Sequence, residues 1–142
     1  MSNKNKDGLK KIYLFKSADY QFAEIDLSDN TLLLGESGVG KTTLMRAILF
    51  FYTMDNSSSA LNINTESKKS FNQWYFQERN SHLVYEYYKE GNPFLFVVSN
   101  SGHLHYTFIE MSNSNIGVKN LFLKGNNPVT LEELNENIEK TF

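Results

Sequence analysis

The chain has 142 residues, a formal net charge of −2 and 40% hydrophobic residues. A chain of this length and composition can bury a hydrophobic core, which excludes a disordered protein, and its near-neutral charge gives no sign of a nucleic-acid-binding face. It contains no cysteine, which excludes disulfide bonds, thiolate catalysis and cysteine metal sites.

The N-terminal part of the sequence predicts a tail followed by short strands. We expect residues 1–10 to form a disordered tail and residues 11–142 to form one lobe that binds nucleotide. KIYLFK, at 11–16, and QFAEIDL, at 21–27, predict two strands, the second from its alternation of polar and apolar residues. TLLL, at 31–34, is apolar throughout, which is typical of a short strand buried on both faces of a sheet.

A phosphate-binding loop follows the third predicted strand. Residues 35–42 read GESGVGKT and match the pattern G-x-x-x-x-G-K-[ST] in full. Glycines in such a loop let backbone N–H groups approach phosphate oxygens, and the helix predicted after it adds free amide groups and a partial positive charge. The sequence therefore predicts a site for a nucleoside triphosphate. The candidate binding residues are Gly35, Glu36, Ser37, Gly38, Val39, Gly40, Lys41, Thr42 and Thr43.

Side chains at the end of this loop have predicted roles. We expect Lys41 to reach the β- and γ-phosphates, Thr42 to ligate Mg²⁺ through its hydroxyl, and Thr43 to meet the α-phosphate. We assign no catalytic residue, because hydrolysis normally needs a second carboxylate at the end of an apolar strand. Glu110 ends a strand-like segment, but an ordinary surface position is the favoured interpretation. The GTPase motifs D-x-x-G and N-K-x-D do not follow the loop.

The remaining sequence predicts a helix and then an antiparallel meander. The segment from residue 41 or 42 to residue 54 predicts a helix buried on most sides, since it is apolar nearly all round. A polar loop is expected over 55–70, and a short helix over 69–77. Strands rich in aromatic and β-branched residues follow, with turn sequences at 90–93 and 100–102 between them. These strands are predicted at 82–89, 94–99 and 103–111.

The last segment predicts an extended piece and a helix. VKNLFLK, at 118–124, is expected to be extended. Thr130-Leu131-Glu132-Glu133 has the pattern of a capping box, in which a Thr side chain and a Glu side chain each bond the backbone N–H of the other residue. A final helix is therefore predicted to begin there.

Several other side chains have two interpretations each. His103 and His105 share one face of a predicted strand, and without an evident third ligand a cross-strand or exposed pair is favoured over a metal site. The aromatic run at 74–76 could stack on a base, but packing beneath a loop is favoured. For Arg46, contact with phosphate or a partner and an interior salt bridge are equally plausible, and the choice stays open.

The segments KIYL at 11–14, FAEIDL at 22–27 and LLLGESGVGKTTL at 32–44 together carry a family resemblance. They resemble the N-terminal lobe of ATPase heads of the structural-maintenance-of-chromosomes (SMC) kind. Relatives of that kind include RecF-, RecN- and MukB-like proteins and the ATPases of Wadjet-type plasmid-defence systems. Tyr75-Phe76 and the strand-like 82–87 extend the likeness. The resemblance implies an α/β (α+β) P-loop fold of the ABC type, with a mixed sheet and an antiparallel meander around the P-loop helix.

The resemblance also implies partners and a ligand. It favours ATP over GTP, with Mg²⁺ as the metal. It places the signature motif and the second carboxylate on a complementary ATPase lobe or on a second copy in a homodimer, with DNA contacted through the full assembly in DNA handling or antiphage defence. The rival readings are a stand-alone P-loop kinase or GTPase and a non-catalytic interaction module. Because the apolar segments are too short to span a bilayer and no signal peptide is evident, we expect a cytoplasmic protein without a membrane partner.

Overall fold

Runs of apolar residues buried on both faces, at 12–15 and 95–98 for example, build the central strands of one sheet in the computed structural model of this chain. The structure describes residues 7–17, 20–27, 41–53, 75–76, 78–111 and 117–141. The predicted strand at 31–34, the predicted loop at 55–70 and most of the predicted helix at 69–77 lie outside these residues. Within them the protein is a mixed α/β structure with a five-stranded antiparallel sheet. The mixed character predicted for the sheet depends on strand 31–34 and stays a prediction.

The five strands follow the order β2-β1-β3-β4-β5, and each neighbouring pair is antiparallel. The two N-terminal strands and the three-stranded meander predicted from sequence are therefore confirmed. The strands are β1 (Gly8–Ser17), β2 (Tyr20–Asp26), β3 (His82–Lys89), β4 (Asn92–Asn100) and β5 (Leu104–Glu110).

Strand β1 begins earlier than the sequence predicts. The disordered tail was expected to reach residue 10, and for residues 8–10 that expectation is wrong. Leu9 pairs with Tyr87 of β3 and packs against the core, although the register shifts between Leu9 and Lys11. Residues 8–10 do not have a strong strand pattern of their own. They are extended because they pair with β3, which lies far along the sequence.

A two-residue turn connects β3 to β4. Lys89 pairs with Asn92, so that Glu90 and Gly91 alone form the turn, with φ angles of 55° and 81°. Positive φ at both positions is the type I′ geometry, whose twist matches that of the flanking strands. The turn predicted over 90–93 is therefore confirmed but shorter, because Asn92 and Pro93 already belong to the strand.

The sheet is covered on both faces. The helix face carries α1 (Lys41–Thr53), whose Ala47 and Phe50 pack against Ile12 and Tyr85 of the strands. The C-terminal face carries α2 (Val118–Phe122), the small hairpin of β6 (Leu123–Lys124) and β7 (Asn127–Pro128), and α3 (Leu131–Thr141). The helix predicted after the motif at 35–42 is confirmed, and its position against the sheet buries Ala47 and Phe50, while Tyr52 is exposed.

The segment predicted to be extended at 118–124 is mostly a helix. Val118, Leu121 and Phe122 are buried against the C-terminal face, and the spacing i, i+3, i+4 places them on one side of a helix. Only Leu123 and Lys124 are extended. The prediction is wrong for residues 118–122, because the three apolar residues of this short segment have helical spacing and pack on the sheet in that form.

The capping box predicted before the last helix is confirmed. The Thr130 backbone N–H donates to Glu133 Oε1 at 2.9 Å, and the Glu133 backbone N–H donates to Thr130 Oγ1 at 3.1 Å. These two reciprocal bonds satisfy amide groups that the first turn of a helix leaves without partners. The bond from the Thr130 amide, with a further one from Lys124, lowers the pKa of Glu133.

Candidate functional site

Helix α1 begins at the motif residue Lys41. The last three candidate binding residues, Lys41, Thr42 and Thr43, thus form its first turn. The loop residues 35–40 and the side chains of residues 41–45 lie outside the described part of the chain. The geometry of the loop around a nucleotide, including the metal contact expected of Thr42, therefore stays a prediction.

A buried tyrosine hydroxyl fixes α1 to the sheet. Tyr85 on β3 is fully buried, and its hydroxyl donates to the backbone carbonyl of Ala47 at 2.7 Å. Burial raises the pKa of Tyr85 well above its ordinary value, so the phenol stays protonated and continues to donate. A small residue at position 47 lets the helix backbone come within hydrogen-bonding reach of the sheet.

Aromatic rings fix the rotation of the same helix. Phe50 stacks against Phe96 of β4 with 6.4 Å between ring centroids. Phe51 lies 5.0 Å from the ring of Tyr85 and 5.3 Å from that of Tyr87. Rings in tilted or offset contact stabilise a pair beyond the area that they bury. The helix that follows the phosphate-binding motif is therefore held both along its length and about its axis.

Arg46 lies inside the protein. Its side chain is 1% exposed, and its guanidinium lies 5.9 Å from the centre of the Tyr75 ring. Burial lowers the pKa of Arg46, and the charge interaction with Tyr75 opposes that shift. A cation over an aromatic face is attracted by the ring quadrupole, the more so away from water. The interior location that a buried salt bridge requires is observed, with Tyr75 as a partner that the sequence did not identify, and the salt bridge itself stays a prediction.

The aromatic pair Tyr75-Phe76 is part of the core. Tyr75 is 0% exposed and Phe76 is 7% exposed. The hydroxyl of Ser17 donates to the Tyr75 carbonyl at 2.7 Å, and the side-chain amide of Asn100 donates to the Phe76 carbonyl at 3.2 Å. The predicted packing role is confirmed for both residues, whereas Trp74 lies outside the described residues.

The other weighed candidates lie on β5 and just before it. Glu110 is exposed at the end of β5, which confirms the surface interpretation. The rings of His103 and His105 lie 4.9 Å apart. Across the described ranges, no group of three or more His, Cys, Asp or Glu side chains could hold a metal ion.

A buried histidine on the C-terminal face was missed by the sequence analysis. His82 is 0% exposed, with Nδ1 2.8 Å from Ser99 Oγ and Nε2 2.7 Å from the Val129 carbonyl oxygen. Because a carbonyl only accepts, Nε2 carries the proton, and in the neutral ring Nδ1 accepts from the Ser99 hydroxyl. Burial lowers the pKa of His82, although the bond to Val129 opposes the shift. The arrangement joins β3 and β4 to the start of α3 and serves structure.

Comparisons with known proteins give one family. A family model described as "Protein of unknown function (DUF3584)" matches residues 19–141, a span that contains the whole G-x-x-x-x-G-K-[ST] motif at 35–42. No curated protein and no solved structure matches the chain. Among the helices of the described residues, none has the length and apolar character needed to cross a membrane.

Proposed function

The chain belongs to the DUF3584 family, and from the motif inside the matched span we propose that it is the ATP-binding lobe of an SMC-like, ABC-type ATPase. Its ligand is Mg·ATP, held by the loop at 35–43. One observation carries the proposal: a complete G-x-x-x-x-G-K-[ST] sequence runs directly into a helix that begins at Lys41. A helix that begins at the motif lysine supports the proposal, because the motif binds phosphate where it opens a helix.

The residues at the start of α1 fit a polyphosphate. The helix has 13 residues and no acidic side chain in its first turn, so nothing in that turn repels an anion. Aligned peptide dipoles place about half a positive charge at a helix N-terminus. Lys41 supplies a full positive charge for the terminal phosphates, and Thr42 supplies a hydroxyl of the kind that ligates Mg²⁺ in P-loop proteins. Bound Mg²⁺ would neutralise phosphate charge.

The packing of α1 supports a binding role. Tyr85, Phe50 and Phe51 fix the helix on the sheet through a hydrogen bond and ring contacts. A binding group held on a fixed element loses little conformational entropy when its ligand arrives. The amides of the first turn are therefore held in position before nucleotide binds.

This chain binds ATP, and hydrolysis takes place in an assembly. Glu110, the one carboxylate weighed for catalysis, is exposed at the end of β5. A complementary lobe or a second copy would supply the signature motif and the second carboxylate, as the resemblance implies. The same resemblance is the basis for placing that assembly in DNA handling or defence in the cytoplasm.

Calorimetric titration of the chain with Mg·ATP tests the proposal. We expect saturable binding, and we expect Lys41→Ala to weaken it by about tenfold to a hundredfold, since a hydrogen bond to a charged group contributes about 1.5–3 kcal/mol. Lys89→Ala is the matched control, because Lys89 is an exposed lysine at the end of β3, and it should leave the affinity unchanged. Equal affinities of the wild type and Lys41→Ala would contradict the proposed site.

Titration with GTP and a turnover assay complete the test. We expect weaker binding of GTP than of ATP, and negligible hydrolysis of either by the chain alone. Turnover comparable to that of a complete ATPase, abolished by Lys41→Ala, would show instead that the chain carries its own catalytic groups.

A further inference from the structure

Strand β5 differs from the opposite edge of the sheet. Of the described strands, β2 and β5 lie at the two edges. Exposed Glu24 and Asp26 lie on β2, and Glu24 pairs with Lys11 at 2.9 Å. Charges of this kind discourage an edge from pairing with another chain. Strand β5 reads LHYTFIE, with no lysine, arginine or proline.

The exposed side chains of β5 are aromatic. Tyr106 is 49% exposed and Phe108 is 61% exposed, and both lie on the helix face of the sheet. Their inner neighbour is Phe96, whose ring centroid lies 5.8 Å from that of Tyr106 and 4.7 Å from that of Phe108. An exposed apolar edge strand whose one carboxylate, Glu110, stands at its end is a surface that pairs with a further strand.

The backbone of β5 has a definite polarity at this edge. The Met111 N–H donates to the Pro93 carbonyl at 2.9 Å, and the register of β4 and β5 is continuous. Because hydrogen-bonded and non-hydrogen-bonded residues alternate in an antiparallel ladder, odd-numbered residues of β5 point their N–H and C=O groups toward β4. Leu104, Tyr106 and Phe108 point theirs away from it, toward the edge.

We infer that β5 pairs with β5 of a second copy across a two-fold axis at Thr107. In this register Tyr106 of one copy lies opposite Phe108 of the other, and each such pair brings outward-pointing backbone groups together. Leu104 lies opposite Glu110, so like charges do not meet. Shifting the axis by one residue in either direction shortens the ladder and breaks the Tyr–Phe pairing, so this register gives the longest ladder over residues 104–110 and pairs both aromatic residues.

A second copy fits this edge for two reasons. A two-fold interface brings the same patch together from both subunits, and the patch is symmetric about Thr107 in its aromatic side chains. Directly opposed aromatic residues on neighbouring strands stabilise a ladder. An interface built from one strand is small, at or below roughly 1,200 Å² in total, and is expected to be weak. The dimer is therefore concentration-dependent, and it requires no nucleotide.

Cysteine cross-linking tests the position of the axis. The chain has no cysteine, so Thr107→Cys introduces a single thiol that faces its own symmetry mate in a close, non-hydrogen-bonded pair. Such pairs have Cα atoms about 4.5 Å apart, within the range that a disulfide bridges. His105→Cys is the matched control, because it lies on the same face of β5 but opposite Ile109 of the second copy. We expect Thr107→Cys to cross-link at least about tenfold faster under mild oxidation.

Sedimentation of the unmodified chain and of paired charge variants tests the contact itself. The wild type should pass from monomer to dimer over roughly a hundredfold range of concentration. Tyr106→Lys/Phe108→Lys should weaken the dimer about tenfold or more, because like charges then face each other. Tyr106→Lys/Phe108→Glu should restore it in low salt, since each lysine then faces a glutamate of the other copy.

Three results would overturn the inference. They are a wild-type monomer at every concentration, equal cross-linking of the two cysteine variants, and equal weakening by the two charge variants. If the wild type is a monomer at every concentration, then another segment of the chain or a different partner pairs with β5. Lys41→Ala should dimerise like the wild type, so that this test and the test of ATP binding fail independently.

Discussion

Replacing Tyr85 with phenylalanine tests how α1 is fixed to the sheet. The change deletes one hydroxyl and keeps the buried ring, so the contact with Phe51 at 5.0 Å is retained. What is lost is the 2.7 Å hydrogen bond to the Ala47 carbonyl.

The magnitude follows from what happens to that carbonyl. Ala47 lies inside α1, so its carbonyl also accepts the backbone N–H four residues later, from Phe51. It is therefore not left without a partner, and the full penalty of an unsatisfied buried group does not apply. The net contribution of an ordinary hydrogen bond remains, about 0.5–1.5 kcal/mol. We expect the free energy of unfolding to fall by about 1 kcal/mol in Tyr85→Phe.

Urea denaturation followed by circular dichroism measures this change. Tyr52→Phe is the matched control, because Tyr52 is 65% exposed on the same helix, and surface substitutions usually stay within about 0.5 kcal/mol. No loss in Tyr85→Phe would show that the bond to Ala47 does not hold the helix. A loss near that of removing the whole ring, about 3–5 kcal/mol, would show that the hydroxyl supports more than this one contact.

Two further predictions concern the C-terminal face. Folding lowers the pKa of His82 below its ordinary value of about 6.5. Below pH 6.5 the unfolded chain therefore binds a proton at this histidine that the folded chain does not bind. The contribution of His82 to stability is complete above that pH, and the free energy of unfolding should fall by up to about 1.4 kcal/mol per pH unit below it. Denaturation across pH should show this slope in the wild type and lose it in His82→Gln, and an unchanged slope would contradict the assignment. Thr130→Ala removes the hydroxyl that caps α3 and should cost about 0.5–2 kcal/mol in thermal or urea unfolding. Asn135→Ala, at an exposed position inside the same helix, is its control, and equal losses in the two variants would contradict the capping role.

Much of the sheet could be predicted because its signals are local. Strands β3, β4 and β5 are each rich in β-branched and aromatic residues and lie between turn sequences. The capping box predicts where α3 begins. The errors come from long-range packing. Residues 118–122 are helical because burial against the sheet selects that spacing, and β1 extends to Gly8 because β3 pairs with it.

In the candidate site, too, local features could be predicted from the sequence and long-range contacts could not. The phosphate-binding motif is read directly from consecutive residues, and the helix after it was predicted from composition. The partners that fix that helix were not predicted. Tyr85 bonds a residue 38 positions earlier in the chain, and Arg46 meets Tyr75 only in the folded protein. An arginine in an apolar helix indicates that its charge needs a partner in the folded protein, but the sequence does not identify which residue that partner is.

Backbone amide resonances of the loop, followed by NMR during titration with Mg·ATP, test the central claim most directly. If the loop wraps its N–H groups around a polyphosphate, the amide signals of residues 35–43 should shift together and saturate, and AMP should leave them almost unmoved. The three loop glycines report this best, since the motif needs them for close approach to phosphate. Amide shifts confined to other parts of the chain, or none at saturating nucleotide on folded protein, would contradict the account.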